Sequence, residues 1–131
     1  MTERRKVAIT SSWGDTIGYS RAVRAGELVF VSGTTASGPE GALHPGDAGK
    51  QAEVILERIE AALKELGARM ADVVETRIYV TDIGQWEAVA RAHGAVFGSI
   101  RPATTIVQVG ALVGSGLLVE ISAIASTARD G

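Results

Sequence analysis

A chain of 131 residues, 46% hydrophobic and 21% charged, holds apolar material for one core, so residues 1–131 are read as a single domain. A formal net charge of −2, with Lys and Arg interspersed among Asp and Glu, leaves no basic stripe. That argues against a nucleic-acid partner held by phosphate neutralisation. The absence of cysteine excludes disulfides, thiolate nucleophiles and thiolate metal ligands.

The start, Arg4-Arg5-Lys6, reads as a frayed, solvated terminus. Val7-Ala8-Ile9 is a short strand, too brief for the apolar region of a secretory signal. No run reaches the roughly 18 apolar residues that would span a bilayer, so a soluble, cytoplasmic protein with no membrane partner is expected. Residues 11–15 read as a loop. Residues 19–25 then alternate, with Tyr19, Arg21 and Val23 on one side, as a half-buried strand does. Gly26 turns the chain into a second strand, Leu28-Val29-Phe30-Val31, ending at Ser32-Gly33. Residues 34–49, rich in Gly, Ser, Thr and Pro, make a surface loop.

Ala52, Ile55, Ile59, Ala62, Leu63 and Leu66 recur at helical spacing, with Asp47 placed to cap the start and Gly67 to stop the end. Residues 73–80 alternate as a strand. A second helix is expected from Asp82, with Gln85 completing a capping box, an apolar stripe of Trp86, Val89, His93, Val96 and Phe97, and Gly98 as its stop. Residues 104–109 and 117–125 are the last strands. The order β-β-β-α-β-α-β-β predicts an α+β fold with both helices packed on one face of one mixed sheet. Some strands are apolar on both sides, so the second face calls for cover, most simply by another copy of the chain.

Several chemistries are absent. No phosphate-cradling glycine motif occurs, and Ser32 lacks the nucleophile elbow of a serine hydrolase. His44 and His93 are far apart and lack the carboxylate spacing of a metal site, so no metal is expected. His93 reads as a hydrogen-bonded core or interface residue. Glu120 stands alone in an apolar run, where a carboxylate is costly to bury unless it is paired or used. It is either held by Arg21, Arg77 or Arg101 or employed on a water or small polar substrate. The strand of Thr104 and Thr105 is the natural wall beside it.

Five segments then carry a resemblance. Residues 17–23 (IGYSRAV), 28–33 (LVFVSG), 74–82 (VETRIYVTD), 101–105 (RPATT) and 119–125 (VEISAIA) are similar, in order and over nearly the whole chain, to the RidA (YjgF) family. The resemblance implies a chorismate-mutase-like α+β domain assembled as a homotrimer, with small-molecule clefts between subunits and no cofactor. It also implies hydrolysis of reactive enamines and imines, such as 2-aminoacrylate, to a 2-keto acid and ammonia. Carried over by position, Tyr19 and Ser32 are polar substrate contacts and Glu120 is the catalytic group that positions water. The arginine that grips the substrate carboxylate in active deaminases falls on Thr104.

That departure has a physical consequence. A guanidinium gives a carboxylate two charged hydrogen bonds, and a threonine gives one neutral bond. The difference is about 1.5–3 kcal/mol, one to two orders of magnitude in affinity. An asparagine of some members is matched by Ala90 and a strand cysteine by Ile106, so the cleft is less polar. The expected cleft has Thr104 and Thr105 as a hydrogen-bonding wall. Arg101 is either a solvated side chain or a replacement anchor, and the substrate need not be a 2-imino acid. A ligand-binding or chaperone-like trimer is the non-catalytic alternative. Endoribonuclease activity, attached to some relatives, fits poorly with the acidic balance and the lack of a suitable histidine pair.

Overall fold

The computed structural model describes residues 4–128. The chain runs β1 (Arg5–Val7), a π-turn at Gly14–Gly18, β2 (Ala22–Ala25), β3 (Leu28–Thr34) and two short strands, β4 (Ser37–Gly38) and β5 (Gly41–Ala42). Then follow α1 (Ala48–Glu65), β6 (Val73–Val80), α2 (Trp86–Phe97), β7 (Ala103–Gln108) and β8 (Val119–Ser126). Six strands form one sheet in the order β1-β2-β3-β8-β6-β7, antiparallel throughout except for the parallel pair β6 and β7 that flanks α2. This is the expected α+β class. Among the described residues, no helix is long and apolar enough to cross a membrane.

The core explains why the last strand sits in the middle. Val119, Ile121, Ala123 and Ala125 of β8 are buried against the helices, while the alternate residues Glu120, Ser122 and Ile124 look the other way. Ile55, Ile59 and Leu63 form the fully buried stripe of α1 and join Val29, Val31, Ile78 and Val80 in one cluster. Each such side chain stabilises the fold by about 1.5–3 kcal/mol on burial. Asp47 caps α1, its Oδ1 accepting from the Lys50 N–H at 3.0 Å. Gly67, at φ +76°, takes the left-handed turn that ends the helix.

Gln51, inside α1 and fully buried, is a polar residue that the apolar pattern hides. Its Nε2 donates to the carbonyls of His44 (3.3 Å) and Gly116 (3.1 Å), and its Oε1 accepts from the Leu118 N–H at 2.9 Å. One side chain thus ties the loop before α1 and the loop before β8 to the helix.

Several expectations need correction. Arg5 and Lys6 are not frayed: they pair with Arg24 and Val23 in β1, and Arg5 Nη2 donates to the Glu65 carbonyl at 3.2 Å. Residues 19–21 precede β2 rather than belonging to it. Asp82 accepts from the Gly84 N–H, but Gln85 does not close a capping box. Its Oε1 accepts from the Ala48 N–H at 3.1 Å and so joins the starts of both helices. Trp86 and Val96 lie outside the core, which takes Val89 and Phe97 from α2. Gly98 keeps helical geometry, and the left-handed residue that ends the turn is Arg101, at φ +61°, with its N–H bonded to the Phe97 carbonyl at 2.9 Å.

The helix-free face of the sheet is open. Phe30 and Val107 are each 41% exposed there, and Leu28 equally so.

Candidate functional site

Strand alternation puts Glu120 on the open face, because Val119 and Ile121 on either side are committed to the core. Its neighbour across β6 is Tyr79, which in turn faces Val107 of β7. On the β3 side the register shifts between Val31 and Thr34, and Gly33 within that irregularity lies directly against the carboxylate. A Cβ at position 33 would stand 2.8 Å from Glu120 Cδ, so only glycine leaves the carboxylate where it is. Gly33, Tyr79, Glu120 and Ser122, with Val109, Ala111 and Leu112 from the loop after β7, line an open pocket of about 300 Å³.

Burial pushes the Glu120 carboxyl above the ordinary glutamate range. None of the three arginines considered from sequence pairs with it. Arg77 Nε is 3.0 Å from Glu75 Oε1, Arg21 Nη1 donates to Thr34 Oγ1 at 3.0 Å, and Arg101 Nε donates to the Gly98 carbonyl at 2.7 Å. A half-buried carboxyl group with a raised pKa, opening on a pocket, is suited to take up and return a proton.

The other sequence candidates are dispersed. Ser32 and Tyr19 do not line this pocket: Ser32 Oγ donates to the Ser20 carbonyl at 2.7 Å, and Tyr19 follows the π-turn, its N–H bonded to the Gly14 carbonyl. The two threonines occupy opposite faces of β7. Thr105 shares the row of Arg77, and Thr104 shares the row of buried Thr76 on the helix side. The expected threonine wall beside Glu120 does not form, because β6 stands between β7 and β8. The wall is Tyr79 instead.

Thr104 belongs to a second pocket, of about 350 Å³, between α2 and β7, lined by His93, Phe97, Gly98, Arg101 and Pro102 as well. A hydrogen-bonded chain runs along it. Thr104 Oγ1 lies 2.8 Å from Thr76 Oγ1, which lies 2.9 Å from His93 Nε2. The His93 ring packs on Phe97 at a centroid distance of 4.6 Å, and burial lowers its pKa. Among the described residues, no cluster of three or more His, Asp or Glu stands ready to hold a metal ion.

Gly33, Tyr79, Ser122 and the loop after β7 were not foreseen. The period of two in β8 carried a signal for Ser122, two residues after Glu120. Nothing local revealed which strand would lie beside it.

A family model described as Endoribonuclease L-PSP matches residues 11–127. A crystal structure of a Mycobacterium tuberculosis member of the YjgF/YER057c/UK114 family is 50% identical, covering 95% of this chain and 99% of that one, with a TM-score of 0.86. A RutC family protein of Pyrococcus abyssi is 34% identical over 108 residues, 82% of this chain and 84% of its own. The 2-iminobutanoate/2-iminopropanoate deaminase of Rattus norvegicus is 35% identical over 123 residues, 92% of this chain and 89% of its own. With a family model matching residues 11–127 and a 50% identical solved structure of that family superposing at a TM-score of 0.86, the chain belongs to the RidA (YjgF) family.

Proposed function

We propose that the protein is a cofactor-free hydrolase of small enamines or imines in which Glu120 handles the proton. The observation that carries this reading is the unpaired, half-buried Glu120 carboxyl, with its pKa raised, facing a pocket beside Gly33 and Tyr79. The imine deaminase named among the relatives supports it. As a carboxylate, Glu120 takes a proton from water as the oxygen bonds to the imine carbon and passes it to the imine nitrogen, giving a neutral carbinolamine. Glu120 then takes the hydroxyl proton as the carbonyl forms and delivers it to the nitrogen as the C–N bond breaks, leaving a carbonyl compound and ammonia. The sum is imine plus water, with Glu120 regenerated.

The substrate class is wider than 2-imino acids, since Thr104 offers no charged grip on a carboxylate. The two pockets open on different sides of the sheet, one on the open face and one between α2 and β7. In our reading another copy of the chain covers Leu28, Phe30 and Val107 and closes one pocket against the other, with Tyr19, Ser32 and Thr105 at the margins of the joint cleft. Light scattering should give three times the chain mass, and a monomer would remove the shared cleft.

Ammonia release from freshly generated 2-iminobutyrate, and from an uncharged imine of similar size, tests the chemistry. Release above the uncatalysed rate is expected with the parent and not with Glu120→Gln. An unchanged rate in that variant would remove the mechanism, and ligand binding without catalysis in the parent would leave a binding protein. Gly33→Ala is a second check. Its Cβ meets the mobile end of Glu120, so the carboxylate moves while the fold tolerates the change. Activity should fall roughly tenfold or more, because displacement of a catalytic group by about 1 Å costs up to about a hundredfold. Thermal stability should stay near that of the parent.

A further inference from the structure

The pocket between α2 and β7 has a polarity that follows from counting hydrogens. Thr104 has one hydroxyl hydrogen, and the protein claims it in either direction of the chain. If His93 Nε2 accepts, the bonds run Thr104 to Thr76 to His93, at 2.8 and 2.9 Å. If His93 Nε2 donates, they run His93 to Thr76 to Thr104, and Thr104 Oγ1 donates onward to the Pro102 carbonyl at 3.2 Å. In both cases Thr104 Oγ1 turns only lone pairs toward a ligand. An arginine at this position can only donate, so the recognition is of opposite sign.

Arg101 supplies the complement. It holds a left-handed backbone, φ +61°, that glycine would adopt at less cost, and its side chain lines the same pocket with Nε engaged by the Gly98 carbonyl. Of the residues lining this pocket only Arg101 carries a permanent charge, and its guanidinium can only donate. An acceptor on one side and a donor on the other match a carbonyl oxygen adjoining an N–H. A carboxylate would set an oxygen against the Thr104 lone pairs.

We propose that the α2–β7 pocket is a recognition subsite for a small uncharged amide-type group, its N–H received by Thr104 Oγ1 and its carbonyl oxygen by Arg101. His93 is a positioning residue that acts through Thr76. This inference rests on the reading of the chain as a small-molecule binder, and not on the hydrolytic step at Glu120. Burial of His93, which lowers its pKa, favours the neutral ring, whose Nδ1–H tautomer leaves both Thr104 lone pairs open and whose Nε2–H tautomer leaves one.

Butanamide and butanoate, titrated separately into the full-length protein near neutral pH, test the subsite, with the His93 ring and Thr104 amide resonances as readouts. Butanamide should bind at least tenfold more tightly than butanoate. Thr104→Val should weaken butanamide about tenfold and leave butanoate nearly unchanged, and Thr104→Arg should invert the preference. His93→Phe should reduce the amide-to-carboxylate ratio, and His93→Gln, whose amide can meet Thr76, should restore it. A merely structural role for His93 would weaken both ligands alike. Equal or tighter binding of butanoate to the parent, no response at His93 and Thr104, or an unchanged ratio in Thr104→Val would overturn the proposal. Assaying imine hydrolysis in the same parent protein separates the two readings: amide selectivity without hydrolysis in the parent removes only the hydrolase, and hydrolysis without amide selectivity removes only this subsite.

Discussion

Glu120→Gln should lower the rate of imine hydrolysis by roughly 10²–10⁴-fold, the range for loss of a positioned acid/base group. Glutamine keeps the shape of the side chain and its place beside Gly33, so the loss reports proton transfer rather than packing. The same variant should be slightly more stable than the parent at neutral pH. Burial holds the folded-state pKa of Glu120 above its ordinary value of 4.5, so between those two values the folded protein binds the proton more tightly than the unfolded chain. Parent stability therefore falls as pH rises through that window, and a neutral amide does not follow it. The advantage of the variant should appear above the window and vanish below about pH 4. It should reach at most about 1 kcal/mol, since solvent screens a carboxyl that is only half-buried. Urea denaturation of both proteins at pH 4 and pH 8 measures it. A variant less stable than the parent at pH 8 would show that Glu120 serves the fold and not the reaction.

Gln51→Leu should destabilise the fold by about 2–4 kcal/mol. Leucine fills much of the same space but strands the Leu118 N–H and the His44 and Gly116 carbonyls that Gln51 serves. Polar groups left without partners in a buried setting cost about 1–3 kcal/mol each, softened where water reaches them. Ile59→Ala in the same helix should cost a similar amount by leaving a cavity. The two variants differ in what they do to the site. Gln51 holds the end of the loop that leads from β7 into β8, and Val109, Ala111 and Leu112 of that loop line the Glu120 pocket. Below the melting range, Gln51→Leu should lose activity out of proportion to its stability, and Ile59→Ala should not. Denaturation curves and hydrolysis rates taken side by side decide this.

How far each residue could be read from sequence follows from the range of the interaction that places it. The stripe of α1, its Asp47 cap and its Gly67 stop depend on residues within a few positions, and each stands where the pattern put it. Glu120 was legible for a similar reason: a charge flanked by core-facing residues signals itself within its own strand. Gln85 was misread because its partner is not the local backbone but the Ala48 N–H of the other helix. Gly98 was misread because glycine permits a left-handed turn without requiring one, and here Arg101 takes it.

The amino-acid sequence by itself determined the α+β class, the two helices, the alternation of β6, and Glu120 as the lone carboxylate in an apolar strand. These rest on periodicity and on the cost of burying a lone charge. Only the tertiary structure decided what surrounds that carboxylate. The insertion of β8 between β3 and β6 set Gly33 and Tyr79 against it, and the parallel pairing of β6 with β7 carried Thr104 to the far side of the sheet, onto Thr76 and His93. Strand order arises from contacts between residues far apart along the chain, and no local pattern records which strand will lie beside which.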